Sequence, residues 1–144
     1  MVSQPISPGL FTWPADQPAL IGGRCPACAA VTFPLRPGCP RCGAADLERR
    51  LLSRTGTLWS WTSQGFLPRA PFTGQFGSAE PFQPWFVGVI ELPGQLRLES
   101  ILVGCTQDTL RIGMPVRLVT MPFRTDEAGN DVVTFAFTPD PDQR

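Results

Sequence analysis

The sequence predicts a mostly β chain in two parts, a metal-stabilised ribbon followed by a small barrel. Three observations carry this. Two Cys-x-x-Cys pairs, Cys25/Cys28 and Cys39/Cys42, stand ten residues apart in the first third of the chain. Short apolar runs, alternating or continuous, then recur almost to the end, separated by Pro, Gly, Asn and Asp; that rhythm of strand and turn signals marks antiparallel structure. Five such runs with one brief helical turn fit a five-stranded OB-fold barrel better than an immunoglobulin sandwich, which wants about seven strands.

The ribbon comes first. A Cys-x-x-Cys turn brings two thiolates onto one metal, and two such turns complete a tetrahedral site. Pro26 and Pro40 occupy the same place in each pair, Gly43 follows Cys42, and Gly38 permits a sharp bend before Cys39. The stretch from Gly23 to Ala45 therefore reads as a rubredoxin-like ribbon holding one structural Zn(2+), with Val31, Thr32 and Phe33 on its hairpin. Two disulfides are the first alternative, disfavoured where no secretory signal opens the chain. An iron site uses the same four ligands, and spacing does not separate the two metals. A catalytic zinc usually keeps an open position and uses His or carboxylate ligands, and the chain has no His.

Composition narrows the function. The 144 residues carry 12 Arg, no Lys and 12 acidic groups, for zero formal charge. No basic excess draws in nucleic acid, and no apolar run approaches the roughly 18 residues of a membrane span. The opening MVSQPISPGL has neither a basic segment nor an apolar core. With reduced thiols, this predicts a cytoplasmic protein.

Taken in order, residues 1–22 form an arm with Pro5, Pro8, Pro14 and Pro18, each opposed to helix. Its Phe11, Trp13, Leu20 and Ile21 pack either on the chain's own domain or on a partner. Residues 46–139 form the barrel, beginning with one long strand in two runs, Leu47–Leu52 and Thr55–Ser63. In the second, Thr57, Trp59, Trp61 and Ser63 share one face, and Gly56 marks a bulge or bend between the runs. Gln64–Pro84 puts four Pro and four Phe into 21 residues, and a loop that long inside a compact domain is usually functional. Trp85–Leu92 is a central strand, Pro93-Gly94 a type II turn, and Leu96–Val103 its antiparallel partner. Gln107–Leu110 reads as a helical turn, Val116–Phe123 as a strand, Thr125–Asp131 as a polar hairpin turn, and Val132–Thr138 as the closing strand. The remainder, 140–144, is a loose tail.

Catalytic constellations are hard to assemble from these residues. With no His there is no base poised near neutral pH. Cys105, the one thiol outside the metal set, sits at a strand end and reads as a buried, inert thiol. Asp126 and Glu127 fall in the polar hairpin, and no glycine run fits a phosphate-cradling loop.

The ordered motifs ALIGGRCPACAAVTFPLRPGCPRCG (19–43), RTGTLWSWT (54–62), PFQPWFVGVIELPGQLRLES (81–100) and LRIGMPVRL (110–118) resemble the zinc-ribbon/OB-fold family of acyl-CoA-associated proteins. The likeness runs from about residue 19 to 138. Two features depart from it: a proline-rich arm replaces an amphipathic helix, and Ala29 stands where many members have Gly. The resemblance implies a subunit of a hetero-oligomer, without catalytic residues of its own, bound to a thiolase-like enzyme. That enzyme makes or breaks C–C bonds in acyl-CoA, as a bulky 3-oxoacyl-CoA thiolase or a retro-aldolase of steroid side-chain degradation, and holds the acyl-CoA itself.

Aromatics beyond a barrel's needs then become partner-binding candidates: Phe66, Phe72, Phe76, Phe82 and Trp85. Capping of the barrel's own open end is the plainer reading of each. Arg36, Arg41 and Arg69 are candidate CoA contacts, since guanidinium pairs with phosphate, or else ordinary surface arginines. Two other classes stay open. A single-strand nucleic-acid module would stack bases on Trp59 and Trp61, against the neutral charge. A rubredoxin-like electron carrier would hold iron.

Overall fold

A computed structural model describes residues 3–75 and 82–141. Among them are nine strands and no helix: β1 (Ser3–Pro5), β2 (Ile21–Arg24), β3 (Val31–Thr32), β4 (Glu48–Leu51), β5 (Thr55–Gln64), β6 (Trp85–Leu92), β7 (Leu96–Leu102), β8 (Pro115–Thr125) and β9 (Asp131–Pro139). They form a three-stranded ribbon sheet, β3-β2-β4, and a six-stranded sheet in the order β1-β9-β7-β6-β5-β8. The latter closes because β8 pairs with both β5 and β9. Strands β5 to β9 thus make the expected five-stranded barrel, joined between β7 and β9 by the short parallel register Leu102↔Phe137.

In the ribbon, β2 runs antiparallel to both neighbours. Gly22 is required there, because a Cβ would lie 2.5 Å from the Thr32 carbonyl oxygen. The run expected over Leu47–Leu52 does form a strand, but it pairs with β2 and completes the ribbon sheet. The reason lies in its side chains. Glu48, Arg49, Arg50 and Leu51 are all exposed, so the strand offers the barrel no face to bury. Only Leu52 turns inward, its N–H donating to the Leu20 carbonyl at 2.9 Å.

The arm folds onto its own chain. β1 pairs in parallel with the start of β9, Phe11 bridges to Leu20, and Phe11, Leu20 and Ile21 are buried. These anchors are therefore internal, and Trp13 is half-buried with its ring edge-on to Phe11. Arg54 ties the pieces together: its Nε donates to the Pro18 carbonyl and an Nη to that of Leu118.

One core runs through ribbon and barrel. Phe11, Leu20 and Leu52 share a cluster with Leu58, Ile90, Leu92, Leu98, Leu102, Val116, Leu118 and Phe137. Phe33 from the ribbon hairpin meets Phe135 of β9 edge-on, ring centres 5.6 Å apart. Alternation on β7 buries Leu98, Ser100 and Leu102 as its pattern predicted. The turn before it puts Gly94 at φ 72°, as a type II turn requires of its third residue.

On β5 the expected face is overturned. The register against β6 shifts between Leu58 and Ser60, leaving Trp59 as the extra residue of a bulge. Trp59 stays outside, half-exposed, under the Arg97 guanidinium at 4.3 Å. Trp61 falls opposite Gly88 and packs against the core, edge-on to Phe86. The bulge is therefore three residues past Gly56. That glycine serves close approach instead, since a Cβ there would sit 2.5 Å from the Glu91 carbonyl.

The segment around Gln107 is a hydrogen-bonded turn in which the Thr106 carbonyl accepts from Thr109 and Leu110, and no helix follows. The polar hairpin is built by Asp126, whose Oδ1 accepts from Ala128 and Asn130. No helix of the described residues is long and apolar enough to cross a membrane.

Candidate functional site

Both knuckles are the same turn twice. In the first, Cys25 N–H donates to the Ala30 carbonyl, and the Cys25 carbonyl accepts from Ala29. In the second, Cys39 donates to Ala44 and accepts from Gly43. The fifth residue of each turn has positive φ, 67° at Ala29 and 79° at Gly43. Glycine takes that geometry freely and alanine only with strain. Ala29 thus stands where the second knuckle has Gly43, at a position where glycine and alanine differ in strain.

The four Sγ atoms lie within 4.8 Å of one another, with Cys25–Cys42 and Cys28–Cys39 each at 3.6 Å. A disulfide holds sulfurs about 2 Å apart, and all four cysteines are free thiols. Four sulfurs about 2.3 Å from a central ion would stand about 3.8 Å apart. The separations and the all-sulfur donor set therefore fit one tetrahedral metal, with no position left open for a substrate.

Backbone geometry prepares the ligands. The N–H of Cys42, then that of Arg41, points at Cys39 Sγ and holds its thiol down to about 6. Cys25 is likewise lowered, first by the Cys28 N–H. Cys42 accepts the Ala44 N–H, which favours its thiolate, yet Cys25, Cys28 and the other crowded sulfurs push it up to about 12. Four thiolates without a cation repel, so the last proton leaves only as a metal arrives. Cys105 stands apart, half-buried against the core, with burial pushing its thiol up.

The long loop closes on itself through its rings. Phe72 stacks on Trp85 with centres 5.8 Å apart, and Phe82 leans on the same indole at 5.9 Å. Phe123 of β8 meets Phe72 edge-on at 5.7 Å. Gln75 clips the loop along β8, its N–H donating to the Phe123 carbonyl and its Oε1 accepting from Thr125. Phe72, Phe82 and Trp85 are thus half-buried in one cluster, while Phe76 lies outside the described residues. Phe66 is different, with 70 % of its surface exposed beside half-exposed Leu67. The Gln64 side-chain amide donates to the Phe66 carbonyl and fixes that tip.

Arg36, Arg41 and Arg69 are all exposed and widely separated in the chain: ribbon hairpin, second knuckle and long loop. Sequence reasoning missed Phe123, Gln75 and the Trp59–Arg97 pair. Phe123 was visible as a large ring ending an expected strand; the other two depend on loop path and bulge and had no local signal.

A four-thiolate ribbon sharing one core with a closed five-stranded barrel defines a class, the metal-ribbon/OB-fold proteins. Residues 12–48 match the family model for the rubredoxin-like zinc ribbon domain of ChsH2, and residues 49–121 that for its C-terminal OB-fold domain. The chain belongs to this ChsH2-type family, and its cofactor is one zinc ion. It is 32 % identical over 132 residues to the benzoylsuccinyl-CoA thiolase subunit BbsA of Thauera aromatica, covering 90 % of this chain and 84 % of that one. A DUF35 domain-containing scaffold protein of Methanocaldococcus jannaschii is 31 % identical, covering 82 % and 78 %. A probable enoyl-CoA hydratase alpha subunit of Thermomonospora curvata is 34 % identical over 104 residues, 72 % of this chain but only 30 % of that longer protein. Among solved structures, a chain of the Ltp2-ChsH2(DUF35) aldolase superposes with a TM-score of 0.61 at 30 % identity, covering 84 % of each chain.

Proposed function

We propose that this chain is the non-catalytic zinc-ribbon/OB-fold subunit of a cytoplasmic hetero-oligomer, binding and stabilising a thiolase-like enzyme that cleaves or forms C–C bonds in acyl-CoA. The reaction is retro-aldol cleavage of a steroid side chain or thiolysis of a bulky 3-oxoacyl-CoA. The supporting observation is similarity that covers 84 % of a thiolase subunit and 84 % of a chain of an aldolase complex. The partner holds the acyl-CoA, and this subunit helps to shape its channel.

The docking surface in this reading is the loop end of the barrel. Phe66 with Leu67 is the projecting anchor, on a firm base of Phe72, Phe82 and Trp85 packed against Phe123; Phe76 belongs to the same loop. Buried aromatic anchors on rigid supports are the usual centres of binding energy. Exposed Arg36, Arg41 and Arg69 are the candidate cations for CoA phosphates in this reading.

Co-expression with a thiolase-like subunit from the same genome tests the proposal. The expected result is a stoichiometric complex that turns over acyl-CoA, with no turnover by this chain alone. A chain that cleaves acyl-CoA unaided, or that stays monomeric beside its partner, would refute it. Alanine at Arg36, Arg41 or Arg69 should weaken acyl-CoA binding by the complex, and unchanged affinity in all three removes the CoA contact.

A further inference from the structure

The four metal ligands are unequal in access. Cys25 and Cys39 are buried, at 0 % and 5 % exposure; Cys28 is half-buried and Cys42 exposed. Around Cys42 the chain stands open. Pro40, Arg41 and Gly43 are exposed, and nothing lies within 4 Å of where a Cβ on Gly43 would be. The Cys42 sulfur stands 3.6 Å from that of buried Cys25 in the opposite knuckle. With all four ligands deprotonated on the metal, thiol–disulfide exchange depends on access to the attacking sulfur and on a second sulfur within reach. Both conditions meet most fully at Cys42, the exposed ligand.

We propose that Cys42 is a redox modification site at which a small disulfide of the glutathione class dismantles the metal centre. The Cys42 thiolate attacks one sulfur of the reagent, forming a mixed disulfide and expelling the first reagent thiolate. The Cys25 thiolate then attacks the Cys42 sulfur, forming a Cys25–Cys42 disulfide and expelling the second. Two cysteine thiolates lose two electrons in all, and the reagent gains both and leaves as two thiolates. The product links the two knuckles to each other, not the members of one Cys-x-x-Cys pair. With two of four donors consumed, Cys28 and Cys39 alone cannot close a tetrahedral site.

The test uses the zinc-loaded full chain carrying Cys105→Ser, which removes the fifth thiol and leaves the cluster untouched. It is incubated with oxidised glutathione, released zinc is followed with a chromogenic chelator, and timed samples are alkylated and mapped by peptide mass. The expected result is a first adduct on Cys42, forming about tenfold faster than on any other ligand. A Cys25–Cys42 disulfide and one released zinc should follow. A first adduct on Cys25, Cys28 or Cys39, a Cys39–Cys42 disulfide, or full zinc retention in excess reagent would each overturn the proposal.

Discussion

Ribbon and barrel are both small β structures, yet different forces hold them. In the barrel, Leu58, Ile90, Leu92, Val116, Leu118 and Phe137 are essentially sealed from water and touch one another across the lumen. The ribbon sheet has short strands, a fully exposed β4, and little buried beyond Ile21, Thr32, Cys25 and Cys39. So small a core does not repay the entropy of ordering the chain. The lesson is a division of labour: hydrophobic burial folds the barrel, metal ligation folds the ribbon, and Phe11, Leu20 and Leu52 couple the two.

Metal removal should break this comparison most severely. Structural zinc supplies on the order of 10 kcal/mol of folding free energy to such modules. Chelation, or Cys39→Ser, should abolish amide-exchange protection in β2, β3 and β4 while β5 to β9 keep theirs. Equal loss in both regions would show that the barrel cannot stand alone. Next in size is Phe137→Ala, which empties the barrel's centre and should cost about 3–5 kcal/mol in denaturant unfolding. Zinc content should not change. Leu20→Ala belongs to the same range, about 2–5 kcal/mol, but should loosen both parts, so that zinc is lost at lower chelator concentration.

A smaller effect sharpens the ribbon itself. Ala29 and Gly43 hold equivalent positions at φ 67° and 79°. Ala29→Gly should stabilise the zinc-bound ribbon by about 1 kcal/mol, and Gly43→Ala should destabilise it by a similar amount. Thermal melts of the two variants should move in opposite directions. Smallest is Cys105, whose raised pKa leaves less thiolate at any given pH. Its alkylation in the zinc-loaded protein should therefore fall below that of a free cysteine peptide and follow a profile displaced to higher pH.

Legibility in the sequence followed the same division. The ligand set was readable because two knuckles are local motifs, and β6, β7, β8 and β9 because their patterns match their burial. The bulge at Trp59 was not, since one extra residue reverses which face each later side chain occupies. That change parted Trp61, packed against the core, from Trp59, with which it was expected to share a face. The pairing of β1 with β9 joins residues more than a hundred positions apart, which no local pattern encodes. Nor did the loop's composition say that Phe72, Phe82 and Trp85 would find one another and Phe123, leaving Phe66 projecting.

That projecting ring gives the most direct test of the proposed role. The measurement is the affinity of the purified thiolase-like subunit for this chain, wild type against Phe66→Ser with Leu67→Ser, by calorimetric titration. The account expects at least about a tenfold loss, since exposed anchors at an interface centre cost more than about 1 kcal/mol each when truncated, with zinc content and the chain's own melt unchanged. Equal affinity for the two proteins would contradict it.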